Sequence, residues 1–156
     1  MERDKIFLLK AIEIAENGIS EGGGPFGSVI TRNGKIIAEA NNRVVLNSDP
    51  TAHAEVLAIR AAAAFLKSHD LGDCIIYSSC EPCPMCLGAI YWAGIKKVIY
   101  ACDRTEAEAA GFSDKILYDE IILDPSKRKI DFIRISSSDG KEVFKKWVEM
   151  ENKIPY

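Results

Sequence analysis

Residues 74–102 contain the pattern that most restricts the fold: two strand-like apolar runs separated by a short helical one. The strand-like runs are CIIYSS (74–79) and KKVIYAC (96–102), and residues 84–93 between them have helical character. Two strands joined by one helix of this length pair in parallel, with the helix crossing one face of the sheet. The sequence therefore predicts an α/β domain with a parallel strand pair.

The chain before this unit predicts a helix, a hairpin and a second helix. Helical spacing over residues 4–19 precedes EGGGP, and the apolar runs FGSVIT (26–31) and KIIAEA (35–40) flank a hairpin signal at Arg32-Asn33-Gly34. A helix rich in alanine and leucine is predicted over residues 51–67. Either Asp49 or Thr51 caps it, and the sequence does not decide between them.

The chain after this unit predicts three more helices and one strand. The helices lie near 104–110, near 115–122 and after Asp139, which with Glu142 forms a capping box. The strand is IDFIRI (130–135), placed at a sheet edge. The whole is predicted to be an α/β domain with a mixed five-stranded sheet between helices.

Size and composition favour one globular domain spanning residues 1–156. The chain is 47% hydrophobic and 28% charged, and has no apolar run near the ~20 residues of a membrane helix. The mixed charges of MERDKIFLLK do not resemble a signal peptide, so a cytoplasmic location is expected. A net charge of −3 offers no bulk attraction to phosphate backbones or membrane surfaces, which makes a nucleic-acid substrate less favoured.

Cysteine usage indicates metal binding or catalysis more than disulfides. The five cysteines are an odd number, and the cytosol keeps thiols reduced. Two of them, Cys83 and Cys86, stand in EPCPMC, and His53 stands in TAHAEV; each motif begins a predicted helix. One histidine and a C-x-x-C pair are good zinc ligands. Three protein ligands leave a fourth position open, which is typical of a catalytic zinc site.

Glu55 is the candidate proton carrier of this site. It follows His53 by two residues, which on a regular helix separates the side chains by about 200°. Both can reach one point only if that point lies off the N-terminal end of the helix. His53 would then bind the metal and leave Glu55 free to move protons. The signature H-x-E…P-C-x-x-C is typical of zinc-dependent nucleobase deaminases.

Cys80 leaves a second interpretation open. As a fourth ligand it would give a closed Cys₃His site that only supports the fold, and the protein would be a zinc scaffold without activity. Two features oppose this interpretation. Cys80 is expected to end its strand, and Glu81-Pro82 carry the backbone away before the helix begins. A closed site would also leave Glu55 with no role in the chemistry.

The chain resembles the cytidine-deaminase-like superfamily, and within it the bacterial guanine deaminases. The resemblance runs nearly end to end, and five blocks of sequence carry it: GGPFGSVI (23–30), NSDPTAHAEVLAIR (47–60), SSCEPCPMCLGAIYWA (78–93), AGFSDKILYDEI (110–121) and the terminal Tyr156. It implies a three-layer α/β/α fold and the hydrolytic conversion of guanine to xanthine and ammonia, with one Zn²⁺ per subunit.

The resemblance also implies a role for individual residues. His53, Cys83 and Cys86 match the zinc ligands, and Glu55 matches the proton-shuttling glutamate. The remaining matches are to substrate-binding positions: Asn42 to a purine-binding asparagine, Phe26 and Trp92 to aromatic pocket residues, Asp114 to an acidic residue that recognises guanine and helps proton transfer, and Tyr156 to a lid.

In that family a C-terminal segment, here about 130–156, crosses to a second subunit, which implies a homodimer with exchanged segments. Two rival activities remain open. A tRNA adenosine deaminase would share the metal site but need a cationic surface, and the most basic short run is the single cluster Lys127-Arg128-Lys129. Another small aminated ring, such as cytosine, could occupy the same pocket.

Overall fold

The computed structural model describes residues 2–155. These residues form two compact units, one ending at Asp114 and one beginning at Lys115. Four strands and seven α-helices follow one another along the described chain: α1 (Glu2–Ser20), β1 (Gly24–Arg32), β2 (Lys35–Asn42), α2 (Val44–Asn47), α3 (Ala54–Leu66), β3 (Cys74–Cys80), α4 (Pro84–Trp92), β4 (Lys97–Cys102), α5 (Arg104–Ala109), α6 (Lys115–Ile121) and α7 (Ser138–Glu149).

The sheet of the first unit is mixed, with the strand order β2-β1-β3-β4. β1 pairs antiparallel with both β2 and β3, and β3 pairs parallel with β4. Asn33 and Gly34 join β1 to β2 with positive φ angles of 52° and 72°, as a tight hairpin turn requires. The parallel β3–α4–β4 unit predicted from residues 74–102 is therefore present.

Helices cover both faces of this sheet, as the predicted three-layer architecture requires. On one face, Phe7 and Ala11 of α1 pack against Val29 and Tyr77. On the other face, alanines of α3 and Ile90 of α4 pack against Ile30 and Ile76 of the central strands. None of the helices in residues 2–155 is long and apolar enough to cross a bilayer.

The prediction of five strands was wrong, because the sheet within the described residues has four. Residues 130–135 are apolar at four of six positions but form no strand, and Ile133 and Ile135 are exposed. A strand exists only where its backbone groups pair with a neighbour, and an apolar sequence does not by itself supply one.

Two helix starts also differ from the predicted ones. α7 begins at Ser138, because the Ser137 hydroxyl accepts a hydrogen bond from the Asp139 amide and takes the N-cap position predicted for Asp139.

α3 begins at Ala54, because the Asp49 carboxylate accepts hydrogen bonds from the Thr51 amide and hydroxyl and closes a turn outside the helix. His53, rather than Asp49 or Thr51, is therefore the N-cap of α3.

Gly27 allows α1 to lie directly on β1, which gives a testable prediction. A Cβ atom at this position would lie 2.2 Å from the Ala11 carbonyl oxygen and 2.6 Å from the Ala15 nitrogen. Both are backbone atoms, so α1 would have to move. We expect Gly27→Ala to lower the free energy of unfolding by about 3 kcal/mol, the upper end for overpacking.

Urea unfolding measures this difference, and Gly88→Ala is the matched control. Gly88 lies inside α4 with no atom within 4 Å of an added Cβ, so alanine there is expected to stabilise by about 0.5–1 kcal/mol. Equal unfolding free energies for the two variants would contradict the close contact between α1 and β1.

Candidate metal centre and active site

The C-x-x-C pair lies at the junction of β3 and α4. β3 ends at Cys80, Glu81 and Pro82 turn the backbone, and Cys83 is the N-cap of α4. Pro84 is the first helical residue, a position where its missing N–H costs nothing. The first turn of α4 then brings the Cys86 sulfur to 3.6 Å from the Cys83 sulfur.

His53 reaches the same point from the start of α3. Its extended backbone (φ −70°, ψ 151°) directs the imidazole off the end of the helix. The His53 Nδ1 atom lies 3.6 Å from the Cys83 Sγ and 3.5 Å from the Cys86 Sγ. The turn at Asp49 makes this possible, because a helix begun at residue 51 would include His53.

His53, Cys83 and Cys86, called the metal group below, fit a zinc ion by both chemistry and spacing. Tetrahedral zinc has Zn–S distances of about 2.3 Å and Zn–N distances of about 2.0 Å, so its ligand atoms lie about 3.5–3.8 Å apart. The three distances in the metal group, 3.5, 3.6 and 3.6 Å, match this spacing. The protein is therefore built to hold zinc through one nitrogen and two sulfurs.

Cys80 does not join this group in the described structure. Its thiol donates to the Asp103 carbonyl oxygen at 3.6 Å, and burial raises its pKa to about 11. A neutral thiol bonded to the backbone is a poor metal ligand. The arrangement opposes a closed Cys₃His site and leaves a coordination position open.

The protonation of the metal group also favours a divalent cation. A hydrogen bond from Cys86 and another from His53 lower the pKa of Cys83 to about 4. The pKa of Cys86 is raised, because its thiol donates to Cys83 and is buried, and contact with Cys83 raises the pKa of His53. Two sulfurs at 3.6 Å cannot both ionise readily unless a cation neutralises them.

Zinc uptake is therefore expected to release protons. The raised pKa values favour the protonated forms of Cys86 and His53, whereas zinc binds thiolate and neutral imidazole. Affinity should fall as the pH falls, by roughly 100-fold between pH 8 and pH 6 for each proton released. Competition with a chromophoric chelator measures this, and an affinity independent of pH would contradict the protonation pattern.

Glu55 lies beside the metal group, in the first turn of α3. Its side chain is only 5% exposed. The Oε2 atom lies 3.3 Å from the Cys86 sulfur, and the Oε1 atom accepts a hydrogen bond of 2.8 Å from the Ser78 hydroxyl. Burial raises the pKa of Glu55, so this carboxyl can take up and release a proton closer to neutral pH than an exposed one.

Three further residues predicted for the site lie in the first unit. Asn42 is buried at the end of β2, and its Oδ1 accepts a hydrogen bond from the Val44 amide at 3.2 Å. Phe26 is half-buried and packs edge-to-face on Phe112, with ring centroids 4.9 Å apart. Asp114 is half-buried, and burial together with the negative charge of Cys83 raises its pKa.

Trp92 is not brought to the metal group. Trp92 ends α4, about 13 Å along the helix axis from Cys83, and is 72% exposed. Tyr156 lies outside the described residues.

Ser78 and Phe112 contact the candidate site residues Glu55 and Phe26, and the sequence reasoning missed both. The position of Ser78 could have been noticed, because it is the polar member of the otherwise apolar row formed by every second residue of CIIYSSC. No local pattern marks Phe112, whose contact with Phe26 depends on the tertiary fold.

Comparison with known proteins agrees with this geometry. Residues 1–102 match the family described as the cytidine and deoxycytidylate deaminase zinc-binding region. The chain is 49% identical to the guanine deaminase of Bacillus subtilis over 96% of its own length and 97% of that protein's. It is 40% identical to the tRNA-specific adenosine deaminase of Buchnera aphidicola, over 64% of this chain and 61% of that one.

The solved structures extend the similarity to the whole fold. The X-ray structure of guanine deaminase from Bacillus subtilis superimposes with a TM-score of 0.95 at 48% identity, over 97% of this chain and 98% of that one. The matched family region contains His53, Glu55, Cys83 and Cys86. The chain therefore belongs to the cytidine and deoxycytidylate deaminase family and carries that family's zinc-binding region.

Proposed function

We propose that this protein is a zinc-dependent aminohydrolase that converts guanine and water to xanthine and ammonia, in purine salvage or catabolism in the cytoplasm. One observation carries the reaction type: a buried carboxyl, Glu55, in contact with a His/Cys/Cys metal group that has an open position. The substrate follows from the similarity to a guanine deaminase over 96% of the chain, well beyond the family region that ends at residue 102.

Glu55 is the proton carrier in this proposal. Zinc, when bound by the metal group, lowers the pKa of water toward neutrality and so supplies a nucleophile at working pH. Glu55 accepts the proton of the attacking water and delivers it to the ring nitrogen beside C2. The water oxygen forms its bond to C2 in this step. Glu55 then takes the second proton of that oxygen and, aided by Asp114, transfers it to the amino nitrogen, which leaves as ammonia when its bond to C2 breaks.

Asn42, Phe26 and Asp114 are proposed to hold the purine. The side chain of Asn42 is an amide that can hydrogen-bond a purine edge, and one face of the half-buried Phe26 ring can pack on a planar base. The electrostatic interaction of Asp114 with Cys83 supports a place near the metal group. A carboxyl there can accept hydrogen bonds from the guanine N–H groups.

We further propose a homodimer in which residues 130–156 dock on the partner subunit. Apolar side chains that one chain leaves exposed support this: Ile130, Ile133 and Ile135 in the non-helical segment, and Val143, Phe144 and Val148 in α7. β4 ends the sheet with one edge unpaired among the described strands, and such an edge accepts another strand. In such an assembly Trp92 and Tyr156 would contribute to the substrate pocket.

A panel of aminated rings tests the function. Zinc-loaded protein is incubated with guanine, adenine, cytosine, ammeline as a triazine, and a tRNA anticodon stem-loop containing adenosine, and ammonia release is measured. We expect release from guanine above all others. Preferential release from the stem-loop, with salt-sensitive binding, would favour a tRNA adenosine deaminase. No release from any substrate would favour a zinc scaffold. Sedimentation of the same preparation reports whether the chain is a dimer.

A further inference from the structure

Ser78 occupies a strand position where packing alone would favour an apolar residue. Alternation along β3 places Cys74, Ile76 and Ser78 on one face of the sheet. The first two belong to the apolar cluster under α3 and α4. Ser78 is only 1% exposed, and a buried hydroxyl costs free energy unless it is hydrogen-bonded.

The partner of this hydroxyl is the proposed proton carrier. Ser78 Oγ donates to Glu55 Oε1 at 2.8 Å, while Glu55 Oε2 lies 3.3 Å from the Cys86 sulfur. Cys86 binds a metal as thiolate and then has no proton to donate. Among the described side chains in hydrogen-bond contact with Glu55, Ser78 is then the remaining donor.

We propose that Ser78 is a positioning residue that fixes the Glu55 carboxylate beside the metal group. The inference rests on the proposed function, in which Glu55 moves protons. A glutamate side chain has three rotatable bonds. The hydrogen bond from Ser78 on β3 restricts rotation about the last of them. Misplacement of a catalytic group by about 1 Å can cost roughly 100-fold in rate, so this restriction contributes to turnover.

Ser28 provides a matched comparison. It is the register partner of Ser78 on β1, is completely buried, and lies on the same face of the sheet. Its hydroxyl donates to the Tyr77 carbonyl oxygen at 3.2 Å, not to Glu55. Ser28→Ala therefore removes a buried hydroxyl from the same layer of the core without touching the proton carrier.

The first test compares Ser78→Ala with Ser28→Ala, using the ring that the native chain deaminates. We expect Ser78→Ala to lower kcat by roughly 10- to 100-fold, with KM within about twofold and zinc content unchanged. Ser28→Ala should keep kcat near the native value. A kcat for Ser78→Ala equal to that of the native chain would overturn the proposal.

Ser78→Thr and Ser78→Val separate the hydroxyl from the shape of the side chain, because threonine and valine are nearly isosteric. The threonine variant should retain several-fold more activity than the valine variant. Equal kcat values for the two would show that volume at this position, not the hydrogen bond, determines turnover, and would overturn the proposal.

A structural measurement tests the positioning of Glu55 by Ser78 independently of the proposed deaminase function. A native chain that releases no ammonia from any ring defeats the function but leaves the positioning of Glu55 open. Crystal structures of the zinc-loaded native and Ser78→Ala proteins decide it. We expect the Glu55 carboxylate to be displaced or to occupy several conformers in the variant, and an unchanged carboxylate would overturn the proposal.

Discussion

Glu55→Gln is expected to lower kcat by at least roughly a thousandfold while leaving about one zinc per chain. The amide keeps the shape of the side chain, and its oxygen can still accept the hydrogen bond from Ser78. It cannot accept the proton of the attacking water, so the step that needs a general base is lost. Ammonia release gives the rate, and metal analysis gives the stoichiometry.

Glu16→Gln is the control for this change. Glu16 is an exposed residue of α1, so the same loss of charge there should leave kcat and zinc content at their native values. Retained turnover in the Glu55 variant would contradict its role as proton carrier. Loss of zinc together with turnover would instead mean that Glu55 supports the metal group.

Cys86→Ser is expected to remove both zinc and activity. Cys86 is 1% exposed, and its sulfur lies within 3.6 Å of both other donors. A serine hydroxyl is far less acidic than a thiol and does not replace thiolate as a zinc ligand. After dialysis against a mild chelator, bound zinc should fall from about one per chain to less than about a tenth.

Cys80→Ser is the control, and it also tests the fourth-ligand interpretation. Cys80 is buried and three residues from Cys83, but its sulfur bonds to the Asp103 carbonyl oxygen. We expect this variant to bind zinc as tightly as the native chain. Zinc loss in the Cys80 variant would indicate a closed site and would contradict the open coordination position.

The metal group could be predicted from sequence because its determinants are local. Cys83 and Cys86 are held together by one helical turn, and His53 and Glu55 by the start of another. The parallel β3–β4 pair could be predicted equally well, since a strand–helix–strand unit of this length has few other possible topologies. The approach of the two helix starts to each other depends on the tertiary fold. The residue types still indicate it, because together they form the deaminase signature.

The wrong predictions fall in two kinds of place. In one, a segment needs a pairing partner far away in the sequence. In the other, two nearby residues can each take the same role. Residues 130–135 have the side-chain pattern of a strand, but pairing depends on an available neighbour, which no pattern encodes. Ser137 and Asp139 can both cap a helix, and the choice between them depends on the preceding backbone. Asp49 had the expected turn chemistry but closed a separate turn instead of starting α3.

The pairing of β1 with β3 determines when the site can exist during folding. β1 and β2 are joined by a tight turn, whereas the Ser28–Ser78 pair joins positions about fifty residues apart, a loop that is slow to close. Cys83 and Cys86 can meet early, but His53 and Glu55 reach them only after this long-range closure. We therefore expect zinc to bind with full affinity only to the finished domain, late in folding.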